Sequence, residues 1–120
     1  MTRKIVAALV SAVLGSLLLP AAWSVAEEAQ SAVELGKGLA FDRKKGNCLA
    51  CHVIAGGDLA GNIGPPLVAM KMRFPDKADL RAQIYDAFTK NPRSVMPRFG
   101  PHRALTDEQI DLITEYVYTL

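Results

Sequence analysis

The chain has 120 residues with two cysteines and two histidines, and three of those four stand together in Cys48-Leu49-Ala50-Cys51-His52. This run constrains the rest of the chain more than any other feature, because C-x-x-C-H is the attachment signature of a c-type haem. Two intervening residues let both thiols reach the two vinyl groups on one edge of a porphyrin, while the adjacent histidine is carried beneath the iron. A structural disulfide, a thioredoxin-like redox pair or half a zinc site would use the same cysteines. The thioredoxin reading wants a βαβ context, and a four-ligand zinc site wants two further Cys or His, of which only His102 remains.

A six-coordinate electron carrier needs a second axial ligand, and methionine or histidine serves in cytochromes c. Beyond the initiator, the candidates are Met70, Met72, Met96 and His102. Met70 and Met72 flank Lys71, next to the apolar Leu67-Val68-Ala69, and suit packing against a ring or filling a core. Met96 precedes Pro97 in an irregular stretch before the last predicted helix, where the prolyl constraint can fix its sulfur. Met96 is therefore preferred, with His102 as the bis-histidine alternative. On the His52 side, Gly61-Asn62-Ile63-Gly64-Pro65-Pro66-Leu67 follows the motif. A carbonyl there, with Pro65 the chosen acceptor, would take the Nδ1 proton and leave Nε2 to ligate. Prolines that merely stiffen the loop are the competing reading.

The first stretch reads as an address. Arg3 and Lys4 precede an apolar run, Pro20 breaks it, and small residues follow to Ala26, before Glu27-Glu28. This is the layout of a secretory signal peptide over residues 1–26, cleaved after Ala26, and it places a 27–120 domain in the periplasm. An uncleaved anchor is the alternative. The leader has no cysteine, so a lipid anchor on it is excluded and no stable membrane anchor is expected. Residues 27–120 carry 12 Lys+Arg against 12 Asp+Glu, once Arg3 and Lys4 are subtracted from 14. A wholesale nucleic-acid or membrane-surface binder needs a standing basic excess that this domain lacks.

The periodicity is helical throughout. Ser31 and Glu34 have capping-box spacing, and Val33, Gly36, Leu39 and Ala40 continue to a Lys44-Lys45-Gly46-Asn47 stop. Asp76 and Asp79 open a second helix with Leu80, Ile84 and Phe88 on one stripe, ended by Asn91-Pro92. Thr106-Asp107-Glu108-Gln109 is a capping box for a third, whose Ile110, Ile113, Val117 and Leu120 reach the terminus. The domain is expected to be all-α. Residues 53–75 and 92–105 lack periodicity, and loops that long in a small domain suit wrapping around a prosthetic group.

The helix before C-x-x-C-H, the Gly-Pro-Pro-Leu segment, Met96-Pro97 and a terminal helix with Tyr116 resemble the class I cytochrome c family over residues 31–120. The resemblance implies three to four helices and long loops around one covalently bound haem. It also implies that first and last helices cross with a glycine against an aromatic, here Gly36 and Tyr116. Gly46-Asn47 before the motif, Arg73-Phe74-Pro75, Asn91-Pro92 and Phe99-Gly100 further resemble the SoxX family, monohaem subunits of bacterial SoxAX cytochromes. That resemblance implies thioether attachment at Cys48 and Cys51 and axial ligation by His52 and Met96. It implies a SoxA partner subunit, a SoxYZ carrier onto whose cysteine thiosulfate is coupled, and a small electron-acceptor cytochrome. The alternative is a free-standing periplasmic electron-transfer cytochrome.

Coupling a thiol to thiosulfate releases two electrons, and one iron accepts one. With both cysteines consumed as thioethers, no free thiol remains as nucleophile, so the chain itself is expected to have no catalytic residue and to be the electron-receiving part of a heteromeric S-thiosulfotransferase. Lys90, Arg93, Arg98 and Arg103 surround Met96 in sequence and either steer anionic partners or form ordinary pairs and a solvated face.

Overall fold

The computed structural model describes residues 21–120. Positions 1–20, and with them most of the expected leader, lie outside the described residues. Four helices make the frame: α1 (Ala21–Phe41), α2 (Met70–Arg73), α3 (Lys77–Tyr85) and α4 (Asp107–Val117). Single 3₁₀ turns occupy Cys48–Ala50 and Ala87–Thr89, and no strand occurs among the described residues. The fold is all-α.

Helix α4 begins where its capping box requires. The Thr106 hydroxyl accepts from the Gln109 amide at 3.2 Å and the Gln109 side chain accepts from the Thr106 amide at 3.1 Å. Asp107 and Glu108 add negative charge at the positive end of the helix dipole. Its buried face carries Ile110, Ile113, Tyr116 and Val117, and each large side chain so buried contributes about 1.5–3 kcal/mol. The helix stops at Val117 rather than at the terminus. Tyr118 donates its hydroxyl to the Pro75 carbonyl at 3.1 Å, and the Leu120 carbonyl accepts from the Met70 amide at 3.2 Å, so the last residues tie down the segment around α2.

Helix α1 crosses α4 at Gly36. A Cβ built there would strike the Leu112 carbonyl of α4 and come within 3.0 Å of the Tyr116 Cβ, so only a glycine permits this approach. One turn on, Phe41 and Tyr116 meet edge to face with centroids 6.0 Å apart. The start of α1 corrects the expectation at Ser31. Residues 21–32 hold five alanines and neither Gly nor Pro, so the helix runs on through Ser31 toward the N-terminus.

Helix α3 is capped by Asp76, whose carboxylate accepts from the Ala78 amide at 2.8 Å. It ends at Tyr85, short of the expected Phe88, because Asp86 turns extended and its carboxylate accepts from the Phe88 amide at 3.1 Å. Lys77 pairs with Glu115 at 2.7 Å, and Arg81 pairs with Asp107 and Asp111, across the α3 and α4 surface. These exposed pairs contribute about 1 kcal/mol or less each. Beneath them Leu80, Ile84, Phe99, Leu105 and Met70 complete the core with α4.

Candidate functional site

The motif lies at the foot of α1. After Phe41 the chain reverses: the Gly46 amide donates to the Leu39 carbonyl at 3.0 Å, and Asn47 adopts a left-handed φ of 46°. The 3₁₀ turn then closes on Cys48, whose carbonyl accepts from the amides of Cys51 at 3.2 Å and His52 at 2.9 Å. Cys48, Cys51 and His52 therefore share one turn of chain. Both thiols are free and half-buried, and burial, helped by the neighbouring Cys51, pushes the Cys48 thiol up to about 11. It is thus held as the neutral SH and is a poor nucleophile at neutral pH.

The loop that follows folds back alongside the motif. The amides of Gly61, Gly64 and Leu67 donate to the carbonyls of Leu49, Cys51 and Val53 at 2.8, 2.8 and 2.9 Å. This brings the Pro65 carbonyl within 2.7 Å of His52 Nδ1. A carbonyl only accepts, so Nδ1 carries the proton of this bond, and in the neutral imidazole the lone pair is then on Nε2. Gly64 makes the approach possible, since a Cβ there would lie 2.6 Å from Nδ1. Neither proline has an N–H. The segment is braced from outside instead, by the Arg73 guanidinium, which donates to the Pro66 carbonyl at 2.9 Å.

The structure separates the sulfur and nitrogen candidates for the other axial position. Met70 is 2 % exposed, and its sulfur already accepts from Arg73 at 3.4 Å. Met72 is 83 % exposed, and His102 is exposed on a turn. Met96 is half-buried against the core, with its amide donating to the Ser94 hydroxyl at 3.2 Å. Its loop is fastened by Arg98, which grips Asp86 with Nε to Oδ1 at 3.0 Å and Nη2 to Oδ2 at 2.6 Å. Those bonds hold the Asp86 carboxyl below the usual carboxylate range.

Of the basic residues near Met96, two are committed. Arg98 is bound to Asp86, and Lys90 pairs with Asp79 at 3.2 Å while lying 5.8 Å over the Phe74 ring. Arg93 and Arg103 are exposed, and neither is in an ion pair among the described residues. Sequence reasoning missed Arg73 as a brace and Asp86 as the partner of Arg98. Nothing local pairs residues seven or twelve apart across a loop.

The residues present fit a haem. Val53, Leu59, Ile63, Val68 and Val95 are large apolar side chains left exposed on the loops around the motif and Met96, a surface that favours cover by an apolar group. Free thiols at two-residue spacing, an imidazole with its tautomer set and a thioether complete a donor set of haem type. Among the described residues no group of three or more His, Cys, Asp or Glu is arranged so as to hold a metal ion by itself.

Comparison with known proteins agrees. An "Uncharacterized lipoprotein" of Aquifex aeolicus (strain VF5) is 40% identical over 79 residues, covering 62% of this chain. The chain spans 37% of that relative's length. The profile of a c-type cytochrome family, which implies haem binding, matches residues 31–117, from the first capping residue expected in α1 to the last residue of α4. By that match, the chain belongs to the family described as cytochrome C oxidase, cbb3-type, subunit III.

Proposed function

We propose that this c-type cytochrome domain is the electron-receiving subunit of a SoxAX-type S-thiosulfotransferase in the periplasm, delivered there by a leader over residues 1–26 that is cleaved after Ala26. Cys48 and Cys51 hold one haem c through thioethers, and His52 and Met96 ligate its iron. When bound, the haem supplies a site that takes up and gives up one electron at a time. The protein's own part is to hold that site. Pro65 keeps the His52 proton on Nδ1, Gly64 lets the backbone close on the imidazole, and the core packs against one side of the half-buried Met96.

The observation that carries the reading is the His52 and Pro65 contact beside two free thiols on one turn. The finer assignment rests on the SoxX-like motifs. Joining a carrier thiol to thiosulfate through a new sulfur–sulfur bond releases two electrons and one proton. This chain takes one electron, and the SoxA subunit must handle the other. The bond forms on the SoxYZ carrier, because no nucleophile is left here once both cysteines are bound. The electron then passes to a small acceptor cytochrome.

The second reading is a free-standing electron-transfer cytochrome, which would use the same cytochrome domain and ligand set. One preparation separates the readings. Haem that stays with the denatured polypeptide, and a far-red sulfur-to-ferric-iron band before denaturation, are expected from the ligand set. Copurification of a second haem chain, with thiosulfate-dependent reduction only when the carrier is present, is expected for the subunit. A single chain that reduces and reoxidises without either would leave the free-standing cytochrome.

A further inference from the structure

Residues 90–106 contain no helix, so what positions Met96 has to be found in side-chain ties. Upstream, the Ser94 amide donates to the Asn91 carbonyl at 2.9 Å, and the Ser94 hydroxyl takes the Met96 amide. Downstream, two residues fasten to the end of α3 and the one between them is buried. Arg98 bonds Asp86 through both prongs, Phe99 is buried in the core, and the Gly100 amide donates to the Tyr85 carbonyl at 3.0 Å. Pro97, with its fixed φ, is all that stands between Met96 and this anchorage.

Asp86 is the unusual member. It is 5 % exposed, one of two buried polar or charged residues among the described residues, and both its carboxylate oxygens are used, with Oδ1 serving Arg98 and the Phe88 amide together. The Arg98 guanidinium also stacks 5.2 Å from the Phe88 ring centroid. A two-pronged, half-buried pair of this kind fixes direction as well as distance, which an exposed lysine pair does not. Its place two residues from Met96, as the two-pronged side-chain tie from that loop to a buried carboxylate, is what turns a folding contact into a control on the sulfur.

We propose that Asp86 and Arg98 are positioning residues for the distal side of the site: their pair holds the Met96 loop closed over the iron, and its loss opens that coordination position while the haem stays attached. The proposal rests on Met96 being the axial ligand.

The test uses the haem-loaded protein with Arg98→Lys and Asp86→Asn, and Lys77→Gln as a control that removes an exposed pair elsewhere. Helical circular dichroism and haem staining establish that each variant is folded and loaded. The expected result is that Arg98→Lys and Asp86→Asn lose most of the far-red band, and that the fraction of reduced protein binding carbon monoxide rises about tenfold or more, as when a minor open state becomes populated. Lys77→Gln should retain the wild-type band. Folded Arg98→Lys with an unchanged band and no carbon monoxide binding would overturn the proposal, whatever its melting temperature. Should Asp86→Asn fail to fold, Arg98→Lys, which keeps the charge and only loses the fork, decides alone. A wild-type protein lacking the band would remove the Met96 reading itself, an outcome distinct from failure of the latch.

Discussion

His52 Nδ1 and the Pro65 carbonyl oxygen stand 2.7 Å apart across thirteen residues of chain, and Gly64, immediately before Pro65, packs its bare Cα against the same imidazole. The contact sets the proton on one ring nitrogen and the glycine sets the ring's plane, so backbone alone orients the side chain.

Gly64→Val should break that arrangement. Its Cβ has no room beside the ring, and forcing a side chain into a packed site costs about 1–3 kcal/mol. The expected outcome is a lower yield of haem-loaded protein, with a perturbed low-spin spectrum in what remains. Absorption spectra of wild type and variant check it; identical spectra would show that the loop does not orient His52.

The two glycines of α1 should respond with opposite signs. Gly36→Ala drives a methyl into the Leu112 carbonyl and should lose about 1–3 kcal/mol. Gly38→Ala meets nothing within 4 Å and should gain about 0.5–1 kcal/mol of helix stability. Thermal unfolding should show shifts of roughly 4–8 °C per kcal/mol in a domain this size.

Thr106→Ala removes the hydroxyl that caps α4 and should cost about 1 kcal/mol, with Thr106→Ser restoring most of it. Because the Thr106 cap bonds Gln109 of its own helix and not the Met96 loop, the far-red band of the folded variant should stay in place while the denaturation midpoint falls.

The Asp86 carboxyl, held low chiefly by its hydrogen bonds to Arg98, makes part of the stability pH-dependent. A carboxyl depressed in the folded state contributes stability that is fully present above its unfolded value, about 3.9, and is lost as pH falls through the lower folded value. The denaturation midpoints of wild type and Asp86→Asn should therefore differ by a constant amount near neutral pH. The gap should close below about pH 4. A gap unchanged down to strong acid would mean that the pair carries no linkage.

Arg93 and Arg103, exposed and outside any ion pair among the described residues, are the cations of this region left for steering, since Arg98 and Lys90 are engaged. Arg93→Gln with Arg103→Gln should slow association with an anionic redox partner several-fold at low ionic strength and little at high. Stopped-flow reduction across a salt series measures it. Equal rates for wild type and variant at low salt would end the steering idea.

Much of the fold could be read from local pattern. The Thr106 box and the Asp76 cap announce their helices, because each cap bonds an amide two or three residues ahead. The crossing glycine and aromatic at Gly36 and Tyr116 were readable from family likeness. Where local signals competed with the rest of the chain, they failed. Ser31 had the spacing of a cap but lay in an alanine-rich stretch without Gly or Pro, so propensity carried α1 past it. Phe88 had the right period but followed Asp86, whose carboxylate found a better partner in Arg98 than in a continued helix.

At the site, the identity of the chemistry needed only adjacency: two thiols and an imidazole at fixed spacing declare a cofactor wherever the chain goes. The surroundings of distant residues needed three dimensions. Met70 and Met72 differ by two positions, yet the fold buries one with its sulfur bonded to Arg73 and leaves the other in solvent. Arg98 and Arg93 look alike in one dimension, yet only one faces a buried carboxylate. Bonding patterns between near neighbours survive in a string of letters. Burial and long-range partnership do not, because they are decided by which surfaces the packed helices bring together.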